Sequence, residues 1–401
     1  METGLIFGKL PWGGLPRGVH FHDPFRVARM MLSPTRNSSQ PRSGKISDRA
    51  IAKRLFPGRR GKMTETLSAN AETRTESYLS GFSFEEYLDD LRHGHPELYD
   101  LLSHERCREA GRHIAKMNMS SWEFEGEKAG GRGLAYNLAQ KSADNRKVGM
   151  TALLKCFSSS VEVAGQDFRI LDVLGGDGTL ARFCRTLGHH APTIYTADIS
   201  RLMIDACHAQ ALPCVRQPAT RSLFRDDVLD GVLIAYGSHH LDSNERRPAV
   251  REAHRMLRAG GRLVLHDFEI GGRCARWFDD VAHPYSRTGH PHAHFSRHEM
   301  FQLFASAGFR DVRVFEIRDP FTLRGSSPEE ARHNAIMHMY DMYDLIKVAD
   351  SGCDIAPRLE RHITETLGPI SIRREEGRYV AEIPRHALVA VGAKSTCDSQ
   401  R

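Results

Sequence analysis

The chain has 401 residues, of which 40% are hydrophobic and 26% are charged, and its formal net charge is +6. This length is enough to bury a sizeable core, and the absence of an apolar run of about 18 residues predicts no transmembrane helix and no membrane partner. The eight cysteines form no Cys-x-x-Cys pair. We therefore expect reduced thiols in a cytoplasmic protein, rather than a disulfide framework or a zinc site.

The positive charge is concentrated at the beginning of the chain. Residues 1–62 contain 13 Lys and Arg but only 3 Asp and Glu, so the remainder is slightly acidic. This segment is rich in Pro, Gly, Ser and Arg and shows no hydrophobic period. We interpret it either as translation from a start placed upstream of the natural one at Met63, or as a disordered basic tail. A targeting peptide and a nucleic-acid-binding arm are the other interpretations, but we predict no nucleic-acid partner.

A helical cap is predicted for residues 63–160. Phe84, Tyr87, Leu88 and Leu91 follow one another at helical spacing, and residues 147–157 form another amphipathic run. Between these helices, residues 117–133 are polar and rich in glycine, which predicts a loop.

The segment from Arg169 to Ser200 carries the most specific pattern. An apolar run ends at Asp172 and is followed by a glycine turn, a helical stretch and a second apolar run that ends at Asp198. This is the layout of a nucleotide-binding βαβ unit, in which a carboxylate at the tip of the second strand accepts hydrogen bonds from ribose hydroxyls. The glycines, however, do not follow the G-x-G-x-x-G spacing of dinucleotide-binding folds.

The observed spacing, D-x-L-x-G-x-G, resembles motif I of class I S-adenosylmethionine (SAM) methyltransferases. The resemblance implies that Asp172 lies near the methionine moiety of SAM, that Asp198 binds the ribose, and that the turn glycines let the backbone approach the cofactor. Leu174 occupies the first glycine position of the motif. The cofactor-binding residues expected from the resemblance are Asp172, Leu174, Gly175, Gly176, Gly178, Asp198, Ile199, Gln217, Ala235 and Tyr236. Among these, Gln217 stands beside Pro218, where the family often has an acid that meets the adenine amino group.

Further segments match the same family in the same order. They are the strand at 229–235, the His-His-Leu segment at 239–241, the L-R-A-G-G-R turn at 257–262 and the A-G-F turn with its strand at 307–314. The resemblance implies an α/β fold with a doubly wound, mostly parallel sheet of seven strands, of which the last is antiparallel. We place the SAM-binding core at 161–318 and the last strand and tail at 387–401. Residues 319–386 are expected to form a helical insertion, with helices near 329–348 and 357–367, that acts as a lid or a dimer element.

The resemblance implies an enzyme that transfers a methyl group from SAM to a small molecule in a biosynthetic, specialised pathway. The acceptor atom stays open between O, N and C, and a homodimer is expected. The segment after the fourth strand lacks the N/D-P-P-Y/F motif, which argues against methylation of amide or exocyclic amino nitrogens. An RNA or protein methyltransferase and a non-catalytic scaffold with the SAM fold are the alternatives.

Three histidines are candidate catalytic residues. His239 and His240 follow the fourth strand and His266 ends the fifth, at the sheet edge where ligands of α/β folds bind. The ordinary pKa of histidine suits a general base at neutral pH. The alternative interpretation is that they are structural histidines packed under the cofactor.

A histidine-rich segment follows the fifth strand. His290, His292 and His294 alternate, so they would share one face of an extended chain and could hold a metal. This supports a further alternative, a metal-assisted C-methyltransferase of a 2-oxo acid. Because no fixed metal-binding signature is present, we predict a polar substrate loop and no metal ligands.

Overall fold

The computed structural model describes residues 77–120, 123–157, 167–351 and 354–396. The predictions for residues 1–62 lie outside this range. The strands are β1 (Arg169–Asp172), β2 (Thr193–Asp198), β3 (Cys214–Arg216), β4 (Leu229–Ile234), β5 (Leu257–Asp267), β6 (Arg310–Arg318), β7 (Phe321–Gly325), β8 (Ser371–Glu375), β9 (Arg378–Ile383) and β10 (His386–Ala393).

The α-helices alternate with the strands of the core and also surround it. They are α1 (Phe84–Gly94), α2 (Pro96–Tyr99), α3 (His104–Gly111), α4 (Ile114–Ser120), α5 (Gly133–Ala139), α6 (Lys147–Lys155), α7 (Thr179–Thr186), α8 (Arg201–His208), α9 (Ser243–Met256), α10 (Arg273–Trp277), α11 (His283–Tyr285), α12 (Arg297–Ser306), α13 (Pro328–Tyr343) and α14 (Ile355–Thr366).

Seven strands form one sheet in the order β3-β2-β1-β4-β5-β10-β6. Strand β10 lies between β5 and β6 and pairs antiparallel with both, whereas the pairs from β3 to β5 are parallel. Every residue of β4 is buried, as expected for a strand covered on both faces. The predicted doubly wound sheet with an antiparallel last strand is confirmed. Its topology brings the carboxyl ends of β1, β2, β4 and β5 to one edge.

The cap predicted for the first part of the chain is helical and packs onto the β3 end of the sheet. Helix α1 begins at a capping box formed by Ser83 and Glu86, and its residues Phe84, Tyr87 and Leu91 are buried. The hydroxyl of Tyr78 donates a hydrogen bond to the Arg216 carbonyl, 2.6 Å away. Residues 117–120 continue helix α4 rather than the predicted loop, and the chain from Glu123 to Arg132 then turns irregularly.

The insertion is not purely helical, which corrects the prediction for residues 319–386. Both expected helices are present as α13 and α14, but β7, β9 and β8 form a separate three-stranded antiparallel sheet. Strand β8 reads SIRRE and has no fully buried residue. Such an edge strand lacks the apolar alternation by which a strand is found in a sequence.

Two further expectations concern thiols and membranes. The six cysteines within the described residues are free thiols, in line with the sequence-based expectation. No helix in the described ranges combines the length and the apolar character needed to cross a bilayer.

Candidate active site

A cleft opens at the carboxyl ends of β1 and β4. Strand β1 delivers Asp172 to it, and the turn after this strand contributes backbone as well as side chains. The lining residues include Tyr136, Gln140, Arg146, Met150, Asp172, Leu174, Gly175, Gly176, Ala235 and Tyr236. Six of these belong to the set that was predicted to touch the cofactor, namely Asp172, Leu174, Gly175, Gly176, Ala235 and Tyr236.

Asp198 ends the neighbouring strand β2 and holds the glycine turn. Its Oδ2 accepts a hydrogen bond from the Gly176 amide at 3.0 Å, and its Oδ1 accepts one from the Ser200 amide at 2.8 Å. The carboxylate is thus fixed at the end of β2, where the βαβ layout predicts a ribose ligand.

The glycine turn tolerates Leu174 because the close approaches that exclude a side chain occur later in the turn, at Gly175 and Gly178. A Cβ at Gly175 would lie 2.7 Å from Thr196 Cγ2 and 3.0 Å from Asp172 Cγ. Gly178 has a φ of +80° and caps the N-terminus of α7. Leu174, in contrast, is half-buried and has room to line the cleft.

Burial raises the pKa of both strand-end carboxyl groups, Asp172 and Asp198, above the ordinary value. Burial, together with the nearby Asp198, raises the pKa of Asp172 to about 8. Burial also raises the pKa of Asp198 to about 6, against the hydrogen bonds from Ser200 and Gly176. Within the described residues, the Asp172 carboxyl group accepts no hydrogen bond. A buried, unpaired carboxyl group in a cleft is suited to a cationic ligand, because a positive charge would restore its ionised form.

Tyr236 follows β4 in a strained conformation, with a φ of +60°. Its hydroxyl donates to Asp319 Oδ1 at 3.1 Å, and the Arg146 guanidinium lies 4.4 Å from the centre of its ring. The Tyr236 amide donates to His266 Nδ1 at 3.3 Å, and His266 is fully buried. The structure therefore gives His266 the contacts of a structural histidine that supports Tyr236, rather than access to an acceptor.

Four of the ten residues expected to bind the cofactor do not line the cleft, namely Gly178, Asp198, Ile199 and Gln217. The amide of Gln217 is used within its own loop, because its Oε1 accepts from the Leu223 amide at 2.8 Å and its Nε2 donates to Ser222 Oγ at 3.0 Å. Both ends of the amide thus have partners within the loop, and the expected role of Gln217 toward adenine stays a prediction. Ile199 follows Asp198 and is half-buried, and its carbonyl accepts from Arg216 Nε at 2.8 Å.

His240 lies in a compact triangle with two groups from distant segments. Its Nδ1 is 3.1 Å from Glu123 Oε2 and 3.0 Å from His292 Nε2, and His292 Nε2 is 3.2 Å from Glu123 Oε2. The other oxygen of Glu123 accepts a hydrogen bond from Arg132 Nε at 3.2 Å. Burial lowers the pKa of His240 to about 3, although Glu123 opposes the shift. His240 is therefore neutral at pH 7 and is a weak general base.

His239 packs against His240 and directs its Nδ1 toward Asp267 at the end of β5. The Asp267 carboxylate is 3.0 Å from His239 Nδ1 and 3.1 Å from His294 Nδ1, and it also accepts a hydrogen bond from Ser238 Oγ at 2.5 Å. Despite burial, the histidines hold the pKa of Asp267 well below its ordinary value. Asp267 fixes the orientation of both imidazoles, and each keeps its Nε2 free of this carboxylate.

His290 packs among these histidines with unused polar atoms. It is 5% exposed, and neither ring nitrogen has a hydrogen-bond partner within the described residues. Its ring stacks on Phe278 at 4.3 Å and lies 5.4 Å from the His240 ring and 4.9 Å from the His292 ring. Burial of both imidazole nitrogens in an apolar environment without hydrogen-bond partners costs free energy.

The histidine cluster borders the cleft. The Phe124 ring lies 5.0 Å from the His240 ring and 5.3 Å from the ring of Tyr136, which lines the cleft. A Cβ on Gly237 would lie within van der Waals contact of both Leu174 and His240. The cleft and the cluster therefore form adjoining parts of one site.

Several residues of this site were missed by sequence reasoning. Glu123 and Arg132 lie in the segment predicted as a polar loop, and no local pattern distinguishes them from solvated charges. Arg146 precedes an amphipathic helix and carries no motif. Asp267 was not missed, because it follows His266 at the end of a predicted strand, at the carboxyl edge where ligands of α/β folds bind.

Comparison with known proteins agrees with this geometry. Residues 171–265 match the family described as "Methyltransferase domain". The chain is 32% identical over 131 residues to the ubiquinone/menaquinone biosynthesis C-methyltransferase UbiE of Pseudomonas entomophila, covering 30% of this chain and 49% of that protein. It is 42% identical over 72 residues to the demethylmenaquinone methyltransferase of Mycolicibacterium paratuberculosis, covering 18% of this chain and 30% of the relative. The chain thus spans half or less of the length of these relatives.

Among solved structures, the chain matches the YcgJ protein of Bacillus subtilis. It shows 17% identity and a TM-score of 0.39, and the match covers 62% of this chain and 98% of YcgJ. Three observations point to one family: the strand order, the glycine turn between two strand-end carboxyl groups, and the family match. They identify the core of this chain as a class I SAM-dependent methyltransferase domain, a family whose cofactor is SAM.

Proposed function

We propose that this protein transfers the methyl group of SAM to a small-molecule acceptor. The observation that carries the proposal is the pair of carboxyl groups at the ends of β1 and β2. Asp198 is held at the turn by backbone amides, and Asp172 is buried in the cleft without a partner among the described residues. A ribose diol and the ammonium and sulfonium charges of SAM match these two groups in chemistry.

The enclosure of the cleft supports a small acceptor. Tyr136 and Gln140 from the cap line it together with Arg146 and Tyr236. Helix α13 of the insertion packs against α5, and Arg132 donates a hydrogen bond to the Met342 carbonyl at 3.2 Å. Because the insertion packs on the helix that lines the cleft, these contacts favour a lid over a dimer element for residues 319–386.

A carbon acceptor is the most specific form of this proposal. One relative named above is a C-methyltransferase, which supports a carbon atom as the methyl acceptor. It is not an argument that the acceptor of this chain is a quinone. Methyl transfer is a displacement at a fixed electrophile, so a large part of the rate comes from holding acceptor and cofactor in line. His240 would not serve as the general base, because its imidazole is a weak base.

Binding of S-adenosylhomocysteine, measured by calorimetry on the full chain, tests the cofactor assignment. We expect Asp198→Ala to weaken binding about 10- to 100-fold, which corresponds to loss of a charge-assisted hydrogen bond. Asp226→Ala is the matched control, because this acid is exposed and pairs with Arg255 at 2.6 Å, away from the turn. An unchanged affinity in Asp198→Ala would refute the ribose assignment.

The alternatives differ in the reaction that the cofactor-bound protein carries out. A non-catalytic scaffold would bind S-adenosylhomocysteine and transfer no methyl group to any class of acceptor. Failure to bind S-adenosylhomocysteine at millimolar concentration would refute the enzyme hypothesis. Methylation of RNA or protein that depends on residues 1–62 would favour the macromolecular alternative. A homodimer and a cytoplasmic location remain predictions, the first of which light scattering on the purified chain would check.

A further inference from the structure

Glu123, His240 and His292 come from three separate segments, and their ligand atoms converge beside the cofactor cleft. Glu123 lies in the turn after α4, His240 follows β4, and His292 lies in the segment between α11 and α12. We propose that this triad binds one divalent transition-metal ion through Glu123 Oε2, His240 Nδ1 and His292 Nε2.

The distances within the triad fit a shared ion. Nitrogen and oxygen ligands of first-row metals lie about 2.1 Å from the ion, so two ligands at right angles are about 3.0 Å apart and two at a tetrahedral angle about 3.4 Å. The three measured separations are 3.0, 3.1 and 3.2 Å. All three edges of the triangle fall in this interval.

Hydrogen bonds alone do not satisfy the triad. Each imidazole nitrogen carries either a hydrogen or a lone pair. If His240 and His292 both donate to Glu123, their two N–H groups face each other at 3.0 Å and repel. If one histidine instead donates to the other, the lone pair of the second faces the carboxylate. A cation in the triangle would meet three lone pairs and remove the conflict in either case.

The surroundings are those of a metal site. Arg132 holds the second oxygen of Glu123 in place, which leaves Oε2 toward the histidines. His290, with both ring nitrogens unpartnered in the described part of the chain, packs against His240 and His292 and offers a further nitrogen. Outer carboxylate and guanidinium partners commonly orient metal ligands in this way.

The donor set selects the class of ion. Two imidazoles and one carboxylate suit zinc, iron, cobalt or nickel, whereas magnesium and calcium prefer oxygen ligands. The side chains of Glu123, His240 and His292 are 14%, 17% and 24% exposed, so the triad is not sealed. An ion held by three protein ligands in an open site keeps positions for outside ligands.

The open positions would take oxygen atoms of the acceptor. This extension rests on the proposed function, because it assumes that the acceptor binds next to SAM. An ion beside the cleft would hold a carbonyl or enolate oxygen of the acceptor and stabilise the negative charge of the enolate. That chemistry is what metal-assisted C-methylation of a 2-oxo acid requires, so the triad favours this alternative over the prediction of a metal-free loop.

Metal binding by the full chain tests the site independently of catalysis. After removal of metals with a chelator, we expect calorimetry to show uptake of about one Zn²⁺ or Co²⁺ per chain and far weaker binding of Mg²⁺. The Co²⁺ complex should show visible absorption bands. His240→Ala, His292→Ala and Glu123→Ala should each weaken the affinity about 100-fold or more, because each removes a direct ligand.

His298→Ala is the matched control, since His298 is exposed in the same histidine-rich segment and should leave metal affinity unchanged. The melting temperature and S-adenosylhomocysteine affinity of each variant show whether it is folded. The proposal is overturned if wild type binds neither ion more tightly than Mg²⁺, or if the three ligand variants bind like wild type. Metal binding in a chain that fails to bind S-adenosylhomocysteine would support this site and count against the proposed function.

Discussion

Asp319 and Arg385 form a buried ion pair that joins the end of β6 to the start of β10. A guanidinium nitrogen of Arg385 lies 2.6 Å from Asp319 Oδ2, and the two side chains are 1% and 3% exposed for Asp319 and Arg385, respectively. The pair sits beneath Tyr236, whose hydroxyl donates to the other oxygen of Asp319. The support of the cofactor cleft therefore depends on a contact between the core and the chain that returns from the insertion.

Removing one partner of this pair should be strongly destabilising. We expect Arg385→Met to lower the free energy of unfolding by about 3–5 kcal/mol, because it leaves the Asp319 charge buried without its cation. The double variant Asp319→Asn with Arg385→Met should recover a large part of that loss. Arg297→Ala is the control, since its pair with Glu269 is partly exposed to solvent and should contribute about 1 kcal/mol or less. If the double variant loses the sum of the unfolding free energies lost by the two single variants, as measured by urea unfolding, the result would contradict coupling between Asp319 and Arg385.

Gly178 is required by its conformation and also by its surroundings. A Cβ there would lie 2.6 Å from Leu212 Cδ1 and 2.9 Å from Cys207 Sγ. We expect Gly178→Ala to cost about 2–4 kcal/mol, of which about 1–2 kcal/mol reflects the left-handed backbone. Gly271→Ala isolates that backbone part, because Gly271 has a φ of +72° and nothing within 4 Å of its Cβ position. Equal losses in the two variants, measured by denaturant unfolding, would show that the close contacts do not matter.

The raised pKa of Asp172 predicts a pH-dependent stability. Its pKa is about 8 in the folded chain against 3.8 ordinarily, so between these values the folded state holds a proton that the unfolded state has lost. Stability should therefore fall as the pH rises from about 4 to 8. Asp172→Asn removes this dependence and should raise the melting temperature at pH 8.5 much more than at pH 5.

The same variant should lose affinity for S-adenosylhomocysteine, whose ammonium group would otherwise restore the ionised form of Asp172. Differential scanning calorimetry at the two pH values checks the stability, and titration calorimetry checks the binding. A melting-temperature change of the same size at both pH values would indicate that Asp172 is not protonated in the unliganded fold.

Arg132 should act as a positioning residue for the proposed metal site. It contacts Glu123 Oε1 but none of the three proposed ligand atoms. We expect Arg132→Met to weaken Zn²⁺ binding about 10- to 100-fold, as is typical when the orienting partner of a ligand is removed. Binding of S-adenosylhomocysteine should change little. Weakening of both ligands to the same degree would instead indicate a general loss of structure around the cleft.

The sequence was sufficient wherever the relevant pattern is local. Asp172 and Asp198 were found because each ends an apolar strand on either side of a glycine turn, and the downstream strands came in the order of a known family. Strand β8 was missed because an exposed edge strand needs few apolar residues. The partners of Gln217 could not be read from a local pattern, because Ser222 and Leu223 fold back onto its amide.

Local sequence patterns were enough to specify the doubly wound core and the cofactor end of the site, because period, turn glycines and strand-end acids are encoded within short windows. The acceptor end depends on long-range packing instead. Glu123, His240 and His292 are separated by 117 and 52 residues along the chain, and no spacing rule relates them. They meet because the cap closes over the carboxyl edge of the sheet while the segment after β5 returns to the same place. The alternation of histidines suggested a shared face, but the carboxylate that completes the triad comes from packing of the cap.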